Sequence, residues 1–150
     1  MLTKLLSKLD VLTIGVAAYG YSRRWINKCE LGYLASAVVE KNRLSEDSEL
    51  IYLSAPGILE DEELDKLVHI AIKDEKEDAM KKIWLLCHLL EIEQSEMKED
   101  DKLATLQDVH VKFNYPENMS ACSIYSQDKT PPLMAMSCLI SKLEKDTESF

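Results

Sequence analysis

The sequence predicts an all-α protein, a single domain over residues 1–150 built as an array of antiparallel helical hairpins around one central buried helix. Three observations predict it. Four Gly and four Pro in 150 residues are too few turn signals for an all-β chain, which needs one about every ten residues. The stretch DAMKKIWLLCHLLEIEQ, Asp78 to Gln94, leaves almost no polar face between the Lys81-Lys82 pair and Glu91, so a helix there must be covered by protein on most sides. Elsewhere, apolar residues recur at three- and four-residue spacing, the period of an amphipathic helix. A chain of this length buries roughly two-thirds of the surface its unfolded form exposes and needs no covalent staple.

Taken in order, Leu2, Leu5, Leu6 and Leu9 have helical spacing, and Asp10 is placed to cap a second helical turn through Val11, Leu12, Ile14, Val16 and Ala17. Tyr19, Gly20 and Tyr21 break the pattern, and Arg23 to Ile26 read as a connection with an aromatic anchor. Asn27 followed by Glu30 is a reciprocal capping arrangement, which starts a helix to about Lys41 with Leu31, Leu34, Ala35 and Val38 inward. Ser45 heads a short helix that ends by Pro56-Gly57. Asp61 to Asp74 forms another, with acids in its first turn and Leu64, Leu67, Val68 and Ala71 on one face.

The central helix follows after a tight turn near Asp74-Glu75, so residues 59–94 form a helical hairpin. Ser95 to Lys102, SEMKEDDK, reads as a solvated loop. Leu103, Leu106, Val109 or His110, and Phe113 make the next helical stripe, which ends at Asn114-Tyr115-Pro116 because proline disfavours helix in the residue before it. Residues 117–130 fit either a short helix or an extended segment. Pro131-Pro132 opens a last helix, Leu133 to Lys145, with Met136, Leu139, Ile140 and Leu143 inward, and Glu144 to Phe150 is expected to fray.

A net charge of −9 and pI near 4.8 argue against direct nucleic-acid binding, which draws on clustered Lys and Arg. Acidic surfaces suit basic partners. The charge is uneven: residues 1–43 carry seven Lys and Arg against three acids, whereas Glu60 to Asp78 carry nine acids against three lysines. Cys29, Cys87, Cys122 and Cys138 have no metal-binding spacing, and buried free thiols in a reducing cytoplasm are the expectation. The apolar run Val11 to Ala18 is too short and too close to Asp10 to be a signal segment, and no segment approaches the roughly 20 apolar residues of a membrane span.

Residues able to carry chemistry are sparse. His69, His88 and His110 form no i, i+4 pair, and the chain has no HExxH, no glycine-rich phosphate cradle and no GxSxG elbow. No catalytic residue, cofactor or metal site is expected. The acids divide into Asp61, Glu62, Glu63 and Asp65, which fan around one helix start, and Glu75, Glu77 and Asp78, which open the next helix. Helix-dipole compensation accounts for two or three of them. The remainder are available to a cationic partner, and the pattern leaves open whether the two groups share a face. Tyr19, Tyr21 and Trp25 beside Arg23 and Arg24 fit either an interhelical corner or a binding hot spot.

Three segments in this order, AYGYSRRWINKCELGYLASAVVEKN from Ala18 to Asn42, WLLCHLLE from Trp84 to Glu91, and LATLQDVHVKFNYPENM from Leu103 to Met119, resemble a bacterial family catalogued as domain of unknown function 2247. Tyr19-Gly20, Ile26, Trp84 and Phe113 to Glu117 occupy that pattern's places, while Val109-His110 and Lys112 depart from it, standing where an aromatic and an acid are expected. The resemblance implies a small helical protein of gene neighbourhoods that include toxin and immunity genes, and implies no enzymatic activity. The expectation is therefore an immunity protein that caps a cognate basic toxin of the nuclease kind one-to-one through Asp61, Glu62, Glu63, Asp65, Glu75, Glu77 and Asp78. The rival readings are a helical adaptor or scaffold for another protein, and a small enzyme in which one of the histidines meets an acid or cysteine in a pocket.

Overall fold

The computed structural model describes residues 2–8, 11–41, 43–45, 47–123 and 129–148. These form α1 (Leu2–Lys8), α2 (Ile14–Ser22), α3 (Lys28–Glu40), α4 (Asp61–Lys73), α5 (Glu77–Gln94), α6 (Glu99–Lys112) and α7 (Pro132–Glu148), with 3₁₀ turns at Glu49–Ser54, Pro56–Ile58 and Glu117–Cys122. The fold is all-α, and no strand occurs among the described residues. The chain resolves into two compact units, residues 3–84 and residues 85–150, with α5 contributing to both.

In the first unit α2 packs on α3 and α4, and its residues from Ile14 to Gly20 are all buried. Thr13 caps it, its Oγ1 accepting from the Val16 N–H at 3.2 Å. The expected cap, Asp10, lies outside the described residues, and Val11 and Leu12 precede the helix. Tyr19, Gly20 and Tyr21 continue α2 instead of breaking it. The glycine has a packing cause: a Cβ at Gly20 would overlap the six-membered ring of Trp84. Trp84 is fully buried, and its Nε1 donates to the Val16 carbonyl at 2.8 Å. The helix then stops in a Schellman arrangement, with Trp25 N–H donating to the Gly20 carbonyl at 3.0 Å and Arg24 in the left-handed region at φ 61°.

The reciprocal cap on α3 is formed, with Glu30 N–H donating to Asn27 Oδ1 at 2.9 Å and Asn27 N–H donating to Glu30 Oε1 at 3.1 Å. Leu31, Leu34, Ala35 and Val38 are buried as the periodicity predicts. The segment expected to be a helix from Ser45 is a 3₁₀ turn from Glu49, capped by Ser48. Pro56 and the Ser54 carbonyl sit against α3 at Gly32, where a Cβ would lie 3.1 Å and 3.2 Å from them.

The second unit is held by an aliphatic core: Leu85, Leu86, Leu89 and Ile92 of α5, Leu106 and Val109 of α6, and Met136, Leu139, Ile140 and Leu143 of α7. α6 begins at Glu99, inside the run expected to be a loop. Glu99, Asp100 and Asp101 form its first turn, where carboxylates meet the positive end of the helix dipole. α6 ends as α2 does, with Tyr115 N–H donating to the His110 carbonyl at 2.8 Å and Asn114 left-handed at φ 58°. Glu117–Cys122 is a 3₁₀ turn, pinned by Gln107 Nε2, which donates to the Cys122 carbonyl at 2.9 Å. Residues 124–128 of the ambiguous stretch, Ile124 and Tyr125 among them, lie outside the described residues. The expected fraying from Glu144 is not what forms: α7 runs on to Glu148, and Thr147 is buried.

Candidate partner-binding surface

α4 positions the acids of the candidate set. Its inward stripe of Leu64, Leu67, Val68 and Ala71 is buried, which turns Asp61, Glu62, Glu63 and Asp65 outward, all four exposed. No side chain caps this helix start, so the first-turn carboxylates themselves compensate the unpaired N–H groups. Asp61 accepts from Lys28 Nζ of α3 at 2.9 Å, and that carboxylate raises the lysine pKa, first through the hydrogen bond and then through its charge. Both side chains are substantially exposed, so the pair adds little stability. Glu62 and Glu63 form no ion pair among the described residues.

The second group sits at the other end of α4, about 18 Å away at 1.5 Å per residue. Two of its three acids are tied to the fold. Glu75 is half-buried and accepts from Thr13 Oγ1 at 2.5 Å, its carboxylate filling the space over Gly15 where any Cβ would overlap it. Glu77 accepts from the Tyr19 hydroxyl at 3.2 Å and pairs with Lys81 at 3.5 Å. Burial pushes the Tyr19 phenol up to about 12, with the Glu77 charge adding to it. Asp78 is exposed beside them. The seven acids of the predicted set are thus two groups with different employment.

Tyr19, Trp25 and Trp84 form the interhelical corner, with ring centroids 5.8 Å apart in both successive pairs. The Arg23 guanidinium lies 5.9 Å from the Trp25 ring, a cation–π distance. Tyr21, Arg24 and Ile26 line a 510 Å³ hollow together with Lys28, Asp61 and Asp65.

Beside the acids of the α4 start lies an apolar relief that the sequence reading did not single out. Tyr33, Tyr52 and Ile58 are 51%, 53% and 75% exposed. Tyr52 and Ile58 line a 380 Å³ hollow with Leu59 and Leu67, edged by Glu49, Glu63 and Lys66. Tyr33 lines a second of 480 Å³ with Pro56 and Gly57. The available signal was an apolar side chain next to the Pro-Gly break, where it has no helix face to turn inward.

The histidines are dispersed. His69 is exposed on α4 in the first unit. In the second, His88 is buried with its ring 5.2 Å from Phe113, and His110 is half-buried with its ring 5.1 Å from Tyr115. No group of three or more His, Cys, Asp or Glu among the described residues could hold a metal ion. Cys87 and Cys122 are buried, and burial pushes their thiols up to about 12 and about 11. Cys29 and Cys138 are exposed, a correction to the expectation of buried thiols. No helix among the described residues is long and apolar enough to cross a membrane.

A family model described as uncharacterized protein conserved in bacteria, DUF2247, matches residues 4–145. The chain belongs to this family. The match spans both units and every segment that carried the resemblance, including the Tyr-Pro-Glu turn at Tyr115 to Glu117. No curated protein and no solved structure matches the chain.

Proposed function

We propose that this family member is an immunity protein of the bacterial cytoplasm that neutralises a basic toxin of the nuclease kind by one-to-one capping, with no catalysis of its own. One observation carries the reading: the exposed carboxylates at the start of α4, of which Glu62 and Glu63 have no ion pair among the described residues. Carboxylates held out on a rigid helix start steer a cationic protein into encounter, and raise the association rate far more than they raise the stability of the inhibitor itself. The net charge of −9 adds a long-range field of the same sign. Asp61, Glu62, Glu63 and Asp65 make the contact, while Glu75, Glu77 and Asp78 act through the fold and the field.

A pull-down of the tagged protein from its own cells, with neighbouring genes expressed and a moderate salt wash, tests the reading. Recovery of one basic, toxin-like fragment at one-to-one stoichiometry is the expected result. The adaptor reading draws on the exposed Tyr52 and Ile58, and it would take over if the retained partner were neutral or acidic and its retention independent of salt.

A further inference from the structure

We infer that the energetic centre of the partner-binding surface is the apolar crest Pro56–Gly57–Ile58 with the Tyr33 and Tyr52 hollows on either side, and that its occupant is a basic protein presenting apolar side chains flanked by Lys or Arg. The inference rests on the toxin-capping reading and says where on the molecule the toxin sits. Acids on a rim raise the encounter rate, and affinity in proportion; slow release comes from a few desolvated anchors, among which tyrosine is over-represented.

The base of the crest is packed. Pro56 is buried against α3, in space that exists because residue 32 is glycine, and Ser54 Oγ donates to the Ile51 carbonyl at 2.7 Å just before it. A surface fixed before binding loses little conformational freedom when it binds. At the summit Gly57 has, apart from its chain neighbours, no atom within 4 Å of where a Cβ would stand, so the backbone is open to close approach. The hollows on its flanks measure 380 and 480 Å³, each large enough for one or two partner side chains.

Charge decides between occupants. Glu49 and Glu63 edge the Tyr52 hollow against Lys66, Glu62 lies beside Glu63 on α4, and Lys28, which edges the Tyr33 hollow, is engaged by Asp61. A second copy of this chain would bring the same acidic rim against itself in a two-fold pairing. A partner rich in Lys and Arg meets Glu49 and Glu63 at the Tyr52 hollow with opposite charge and places apolar side chains in the Tyr33 hollow, whose one charged lining residue among those described, Lys28, is held by Asp61.

The test is site-specific photocrosslinking in the native cells, with the benzophenone amino acid placed at Tyr52, at Tyr33 or, as a control in the second unit, at the exposed Tyr115. Expected is a crosslink from 52 and 33 to one basic polypeptide, absent from 115. Adding Gly57→Arg should cut the crosslink from position 33 by about tenfold or more, the scale of a lost hot spot. A Cβ at position 57 meets nothing beyond its chain neighbours and the site is exposed, so circular dichroism and thermal midpoint should match the parent. Ile58→Ala is the second variant, with the same expectation and an even smaller demand on folding. A crosslink from 115 alone, a crosslink to another copy of this chain, or none from 52 and 33 would overturn the crest as the binding centre. Those results leave the pull-down standing on its own: a basic one-to-one partner retained there with no crosslink at the crest moves the surface, whereas no basic partner at all removes the capping reading itself.

Discussion

The two ends of α4 carry similar acids put to opposite uses. At the start, Asp61, Glu62, Glu63 and Asp65 stand in solvent, with Lys28 on Asp61 as their one ion pair among the described residues. Beyond its other end, Glu75 and Glu77 accept hydrogen bonds from Thr13 and Tyr19 of the N-terminal segment, beside the ring cluster that ties Trp84 to α2. Sequence proximity and charge treat these groups as one set, but the hydrogen bonds from Thr13 and Tyr19 set Glu75 and Glu77 apart. Glu75 and Glu77 satisfy hydroxyls of the fold; Glu62 and Glu63, with no ion pair among the described residues, are available to another molecule.

Variants sort this contrast by size. Trp84→Ala removes the largest buried side chain of the structural end and should cost about 3–5 kcal/mol, read as a large drop in denaturation midpoint with binding lost only through unfolding. Gly20→Ala forces a methyl into a ring already fixed by Trp25 and the Val16 carbonyl. Overpacking there should cost about 1–3 kcal/mol, and a midpoint equal to the parent's would mean that Trp84 is not held where described. Glu75→Ala leaves the Thr13 hydroxyl without its acceptor and should cost about 1 kcal/mol, with affinity for the basic partner nearly unchanged.

Tyr19 gives a spectroscopic reading of the same end. Its phenol, raised to about 12 chiefly by burial and then by Glu77, contributes stability that is complete below its unfolded pKa of 10.0 and is lost as pH rises from there through 12. Ultraviolet titration of Glu77→Gln should show the pKa lowered yet still above 10.0, because burial persists. No change would detach Glu77 from the structural group. At the free end the stability effect should be smallest: Glu62→Ala and Glu63→Ala should each move stability by less than about 0.5 kcal/mol while weakening association severalfold, most strongly at low salt.

Much of the fold could be read locally. The Asn27–Glu30 cap, the stripes of α3, α4 and α7, and the burial of α5 follow from spacing alone. What escaped depended on residues far apart in the chain. Gly20 reads as a breaker until Trp84, 64 positions later, is found against it; Glu75 reads as a helix-start acid until Thr13 meets it. The early start of α6 was legible and misread, since Glu99 to Asp101 are as good a first turn as Asp61 to Glu63. For the candidate surface, the sequence offered the acids but not their division, and of the crest only the apolar side chain beside Pro56-Gly57; that Tyr33 and Tyr52 are exposed near it was not legible, because exposure is decided by tertiary packing and not by residue type.

The central claim is that the α4 start faces a partner while the Glu75 end holds the fold. Its most direct test pairs thermal midpoint with equilibrium affinity for the basic partner, for Glu75→Ala and for Glu62→Ala/Glu63→Ala together. A crossed result is predicted: Glu75→Ala lowers the midpoint and keeps the affinity, and the double variant keeps the midpoint and loses about tenfold in affinity, a loss that shrinks as salt is raised. An unchanged affinity in the double variant, or a loss confined to Glu75→Ala at an unchanged midpoint, would contradict the account.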